Sequence, residues 1–158
     1  MTKEQKQGFT FRVTQANSTE LVVILYEMLE CYVTDGRDML KQGDRDGFRN
    51  AVRCAKGCVG ELMNSLNLKY EPAPTLLSLY GYCIRRLTAA TVRESTEPLE
   101  EVEKIIKPLM VAYRQIADQN TSGPVMNHSQ TVYAGLTYGR NTLTENMTDQ
   151  GSNRGMLA

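Results

Sequence analysis

From Asn17 to Ile116 the chain repeats one pattern four times, with apolar side chains recurring at steps of three and four between breaks marked by glycine or proline. That spacing gathers them on one face of a helix, and such a face is stable only when buried against another. The first run holds Leu21, Leu25, Met28, Leu29 and Tyr32, widened by Val22, Ile24 and Tyr26. Phe48, Ala51, Val52, Ala55, Cys58, Val59, Leu62 and Leu66 form the second, and Leu76, Leu79, Tyr80, Cys83, Ile84 and Leu87 the third. Leu99, Val102, Ile106, Leu109, Tyr113 and Ile116 form the fourth. Short connections make successive helices antiparallel neighbours, so the expected fold is all-α: an up-down-up-down four-helix bundle with crossing angles near about 20°.

The punctuation supports this division. Asn17 and Glu20 stand at capping-box spacing, where a side-chain carbonyl and a carboxylate satisfy early helix amides reciprocally. Gly43 before Asp44-Arg45-Asp46 reads as a stop followed by an acidic start. Pro72 and Pro74 end a loop and admit a third helix over about 75–92, and Pro98 opens a fourth with Glu100, Glu101 and Glu103 near its positive end. Pro108 removes one internal hydrogen bond and predicts a kink near 104–108. The expected organisation is a flexible arm at 1–16, the bundle at 17–118, and a polar, largely disordered tail at 119–158. In the arm only Phe9, Phe11 and Val13 are large and apolar; in the tail Val132, Tyr133, Leu136, Tyr138 and Leu143 interrupt the polar background, either within a loosely ordered terminus or as a segment that docks on the body's own groove and competes with a guest.

Composition narrows the function classes. The 18 basic and 18 acidic side chains cancel, leaving no long-range field to gather nucleic acid or anionic lipid. No stretch approaches the roughly 18–20 apolar residues that span a bilayer, and the polar start MTKEQKQ lacks a signal-peptide layout, so a soluble, cytoplasmic protein without membrane insertion is expected. Cys31, Cys54, Cys58 and Cys83 fall inside apolar helical patterns and read as packing thiols; Cys54 and Cys58 could hold half a metal site, but no second pair completes it. The single histidine, His128, lies in the tail without partners at ligand spacing. Neither a phosphate-cradling nor a dinucleotide-binding glycine loop occurs. The chain is therefore expected not to be an enzyme and to need no cofactor and no metal.

Four blocks, in order, carry a family resemblance. Glu20-Leu21-Val22-Val23-Ile24-Leu25-Tyr26-Glu27 resembles an "EELI..LYDG" segment, and Glu61 to Asn67 (ELMNSLN) resembles "ELNSSLD". Leu79 to Leu87 (LYGYCIRRL) resembles "LYDYMIRRL", and Glu97 to Val102 (EPLEEV) resembles "PLEEV". These are blocks of the FliS flagellin chaperones, and together they cover about residues 9–117. The resemblance implies an antiparallel bundle that binds the disordered C-terminal segment of flagellin, keeps it from polymerising prematurely in the cytoplasm, and delivers it to the export-gate protein FlhA.

The residues add a physical expectation. The first helix has more apolar surface than one neighbour covers, while Gly57 and Gly60 lower the second helix's intrinsic stability by about 1 kcal/mol each. Those glycines either permit close packing against a sister helix or leave a trough for a guest. A disordered amphipathic segment would fold as its apolar residues enter a groove walled by Ile24, Leu25, Met28, Val59, Leu62, Met63, Leu79 and Tyr82. Arg85 and Arg86 are expected at the groove rim, and Phe9 and Phe11 as a lid over part of the groove when no guest is present. The competing reading is a self-associating structural bundle with no export role.

Overall fold

The computed structural model describes residues 1–126. Among them the regular structure is entirely helical, in five segments: α1 Lys3–Gln15, α2 Ser18–Lys41, α3 Arg45–Asn64, α4 Ala73–Arg93 and α5 Glu97–Gln119. The expectations placed on His128 and on Val132 to Leu143 lie outside the described residues.

Each boundary has a local cause. At the start of α2, Asn17 Oδ1 accepts from the amides of Thr19 and Glu20 at 3.0 and 2.9 Å, and Glu20 Oε2 accepts from the Asn17 amide at 2.7 Å. Two donors that the first helical turn would leave unpaired are thus satisfied inside α2 itself, and a third bond closes the reciprocal box. At the other end Gly43 takes φ +79°, which an L side chain rarely adopts, and the Asp44 amide reaches back to the Met39 carbonyl at 2.9 Å. Asp44 then caps α3 through the Gly47 amide at 2.8 Å. Pro74 and Pro98 both sit in the first turn of their helices, where a missing N–H costs no bond. Glu94 ends α4 at φ 47° without being glycine, and its carboxylate is held by Arg45 and Arg49 of α3 at 3.2 and 3.1 Å.

The four long helices pack in a closed cycle, α2 on α3, α3 on α4, α4 on α5 and α5 on α2. Residues rising along α2 meet residues falling along α5: Glu27 with Arg114 at 2.8 Å, Glu30 with Lys107 at 3.9 Å, and Arg37 with Glu103 at 2.8 Å. The core collects the inward face of each helix, with Tyr26, Leu29 and Val33 against Phe48, Val52, Val59 and Leu62, and with Tyr80, Cys83 and Leu87 against Leu99, Val102 and Ile106. Two polar atoms enter it together. The Tyr26 and Tyr80 hydroxyls hydrogen-bond to each other, and the Tyr113 ring lies 5.6 Å from that of Tyr26. Burial pushes the Tyr80 hydroxyl up to about 12, and burial with the bond to Tyr80 raises Tyr26 further. Burial likewise raises the Cys83 thiol to about 11 and that of Cys58 to about 12.

Three features go beyond the expected organisation. The stretch 1–16, expected as a flexible arm, carries a helix: Thr2 and Gln5 form a second capping box, Thr2 Oγ1 accepting from the Gln5 amide at 3.2 Å and Gln5 Oε1 from the Thr2 amide at 2.8 Å, and α1 follows. The tail does not begin free of the body at 119, because α5 runs to Gln119 and the next residues are tied back to the α1–α2 junction. Asn120 Nδ2 donates to Thr19 Oγ1 at 2.8 Å, Asn17 Nδ2 donates to the Asn120 carbonyl at 3.3 Å, and the Val125 amide donates to the Ala16 carbonyl at 3.1 Å. Finally, Gly57 and Gly60 do not serve close packing, since a Cβ built on either meets no neighbouring atom within 4 Å.

Candidate functional site

Two clefts border the N-terminal half of α2. Helix α1 turns back at Ala16-Asn17 and runs along α2 in the opposite sense: Arg12 pairs with Glu27, and the N-terminal amine sits on Asp35. The hold is unusual in kind. No residue of α1 is buried; Phe9 and Val13 are half-covered and Phe11 is 45% exposed. A helix normally docks through a buried apolar stripe; α1 docks through two ion pairs and partly covered apolar side chains. On α2, Val23 and Ile24 are only 7% and 2% exposed, and they line a cleft that Arg12 and Gln15 of α1 also line.

Between α1, the start of α2 and the end of α5 lies an open cleft of about 640 Å³, with Val23, Ile24 and Ala117 among its apolar lining and Arg12, Glu27 and Arg114 among its charged groups. Glu27 divides its carboxylate, Oε2 to Arg12 of α1 and Oε1 to Arg114 of α5. Partial burial alone would raise this carboxyl, but the two guanidinium groups outweigh it and hold the group below its ordinary value. A second groove, of about 380 Å³, opens on the other side of the α2 start and is lined by Val22, Leu66, Tyr70, Leu76, Tyr113 and Ile116 among others. Tyr70 and Ile116 are 68% and 52% exposed, so this groove has an apolar wall in contact with water.

The residues expected to wall one groove are distributed differently. Val59 and Leu62, at 0% and 1% exposed, lie in the core, turned to the centre by the period of α3. Ile24 lines the first cleft from beneath. Leu25, Met28 and Met63 are half-buried residues packed on the core's edge, and Leu79 is half-buried on α4. Tyr82 is exposed, and its hydroxyl donates to Glu101 of α5 at 2.6 Å, which turns it toward the α4–α5 seam. Arg86 pairs with the same Glu101, whereas Arg85 is exposed, with its guanidinium 5.9 Å from the Tyr82 ring.

Arg12, Glu27 and Arg114 were not singled out from sequence. Glu20 and Glu27, two turns apart on α2, show an acidic ridge in the sequence, but the basic partners of Glu27 come from elements 15 and 87 residues away along the chain. Among the described residues there is no cluster of three or more metal-ligating side chains, and no helix long and apolar enough to cross a membrane.

The family model described as flagellar protein FliS matches residues 1–120. The flagellar secretion chaperone FliS of Salmonella typhimurium is 30% identical over 108 residues, spanning 66% of this chain and 80% of the relative. The flagellar secretion chaperone FliS of Bacillus subtilis is 25% identical over 103 residues, spanning 65% of this chain and 77% of the relative. Since the match takes in α1 as well as the four long helices, the chain belongs to the FliS family of flagellar proteins.

Proposed function

We propose that this protein is a cytoplasmic flagellar export chaperone, an antiparallel four-helix bundle that receives the disordered C-terminal segment of flagellin, prevents its premature polymerisation and hands it to the export apparatus through FlhA. The observation that carries the reading is α1, which borders the cleft that Val23 and Ile24 line and packs there without a fully buried residue of its own. Such a helix is a replaceable occupant: an amphipathic guest with a real apolar face can take its place and gain what α1 does not. Family membership and two relatives named as secretion chaperones support the same conclusion.

The mechanism is coupled folding. The guest becomes helical as its apolar side chains leave water, an event that commonly buries on the order of 1,000–3,000 Å² and costs about 2–5 kcal/mol in ordering. That cost keeps the complex releasable, which a delivery protein requires. Ile24, exposed once α1 moves, is the first contact; Leu25, Met28, Met63, Leu79, Tyr82 and Arg85 extend the surface around the bundle, and Phe9 and Phe11 form the displaced lid. The bare backbone at Gly57 and Gly60 gives a second place where a guest can approach closely.

Calorimetric titration with a peptide of the flagellin C-terminal segment tests the proposal. Saturable one-to-one binding with a gain of helical circular dichroism is expected. Absence of binding, together with concentration-dependent dimers in sedimentation, would instead favour a self-associating structural bundle.

A further inference from the structure

The lid is held by an ionic device. We propose that Arg12, Glu27 and Arg114 form an electrostatic latch that keeps α1 closed on α2, so that ionic strength and the charge at position 12 set how often the surface beneath is open. This rests on the reading of α1 as a displaceable lid. Glu27 is the fixed half: its side chain is 18% exposed and is anchored on Arg114 of α5 at 2.8 Å. The anchored carboxylate presents its second oxygen to Arg12, the moving half, whose side chain is 48% exposed. The same Arg12 guanidinium lies 5.7 Å from the Phe9 ring, so one charged group ties both the carboxylate and the lid's aromatic side chain. No residue of α1 is fully buried, and these contacts hold the helix together with the partly covered Phe9 and Val13 and the pair between the N-terminal amine and Asp35.

Water-exposed ion pairs are weak and screened, with a Debye length of about 10 Å at 0.1 M salt and about 3 Å at 1 M. Weakness is what a latch of this kind requires. A pair of this exposure changes an opening equilibrium by about 2- to 5-fold, enough to tune access without locking it.

Hydrogen exchange of the guest-free, full-length protein reads the latch directly. In low salt, Arg12→Gln should speed exchange of the α1 amides by about 2- to 5-fold, with the amides of α3 unchanged, while Arg12→Lys should stay near the parent rate. Raising salt should close the gap between the parent and Arg12→Gln, while the variant itself rises only by what its remaining pair between the N-terminal amine and Asp35 loses to screening. Equal rates in the parent and Arg12→Gln, or Arg12→Lys behaving as Arg12→Gln, would overturn the proposal. Because no guest is present, this outcome is independent of whether the flagellin peptide binds, which the titration above decides separately.

Discussion

Replacing Gly57 and Gly60 by alanine should make this protein more stable, and the gain can be worked from geometry. Both lie inside α3, neither takes a left-handed φ, and an added Cβ meets no neighbouring atom within 4 Å at either site. No steric term therefore opposes the propensity term, which favours alanine by about 0.8–1.0 kcal/mol per site in a helix interior. The sites are one turn apart and share no partner, so the double substitution should yield roughly 1.6–2 kcal/mol. For a protein whose stability is on the order of 5–15 kcal/mol this is a large increment. Divided by a urea m-value of about 1–3 kcal/mol/M, it moves the midpoint upward by roughly 0.5–2 M. Urea titration followed by helical circular dichroism measures the shift. A midpoint that falls would show that α3 is packed at these positions and would refute the argument from open space. The guest titration on the same variant carries a second result: if a guest uses the bare backbone, affinity drops while stability rises, and a guest seated elsewhere leaves affinity unchanged.

Other perturbations divide core from surface. Leu62→Ala should destabilise by about 2–5 kcal/mol in urea, since a sealed side chain leaves a cavity, with the affinity of the folded fraction unaltered; weakened binding at full folding would return Leu62 to the guest surface. Tyr26→Phe should cost about 1–3 kcal/mol by stranding the Tyr80 hydroxyl, and adding Tyr80→Phe should recover much of that loss; equal and additive losses in a double-mutant cycle would refute the pairing. Glu27 and Glu103 are held below the ordinary carboxylate value of 4.5, Glu27 against its burial by Arg12 and Arg114, Glu103 chiefly by its bond from Lys107. Groups depressed in the folded state give stability that is full above about pH 4.5 and is lost as pH falls through their folded values. Urea midpoints measured from pH 7 to pH 3 should decline below that point, and Glu27→Gln should flatten part of the slope; an unchanged slope would refute the assignment.

Much of the fold could be read before the coordinates, because its boundaries are local chemistry. Asn17 with Glu20, Gly43 before Asp44, and prolines at 74 and 98 are each explained by the residues immediately around them. Helix α1 escaped for the opposite reason. Its capping residues Thr2 and Gln5 were in plain view, but it lacks an apolar period, and its helical state depends on a neighbour reached only through the fold. Val59 and Leu62 illustrate a different limit: periodicity says which residues share a face, not which of two apolar faces closes first, and α3 spends that face entirely on the core. The charged site could not be foreseen pairwise, since Arg114 reaches Glu27 only when α5 has come back beside α2.

The chemistry at Asn17 has a mechanical corollary. Its box is completed by Thr19 and Glu20, and its side-chain amide is claimed by residue 120, so nothing in α1 helps to hold the first turn of the second helix in shape. Were the leading segment to swing away as proposed, it would turn about a pivot held from within α2 and from residue 120, and the first turn of the bundle would keep its own bonds.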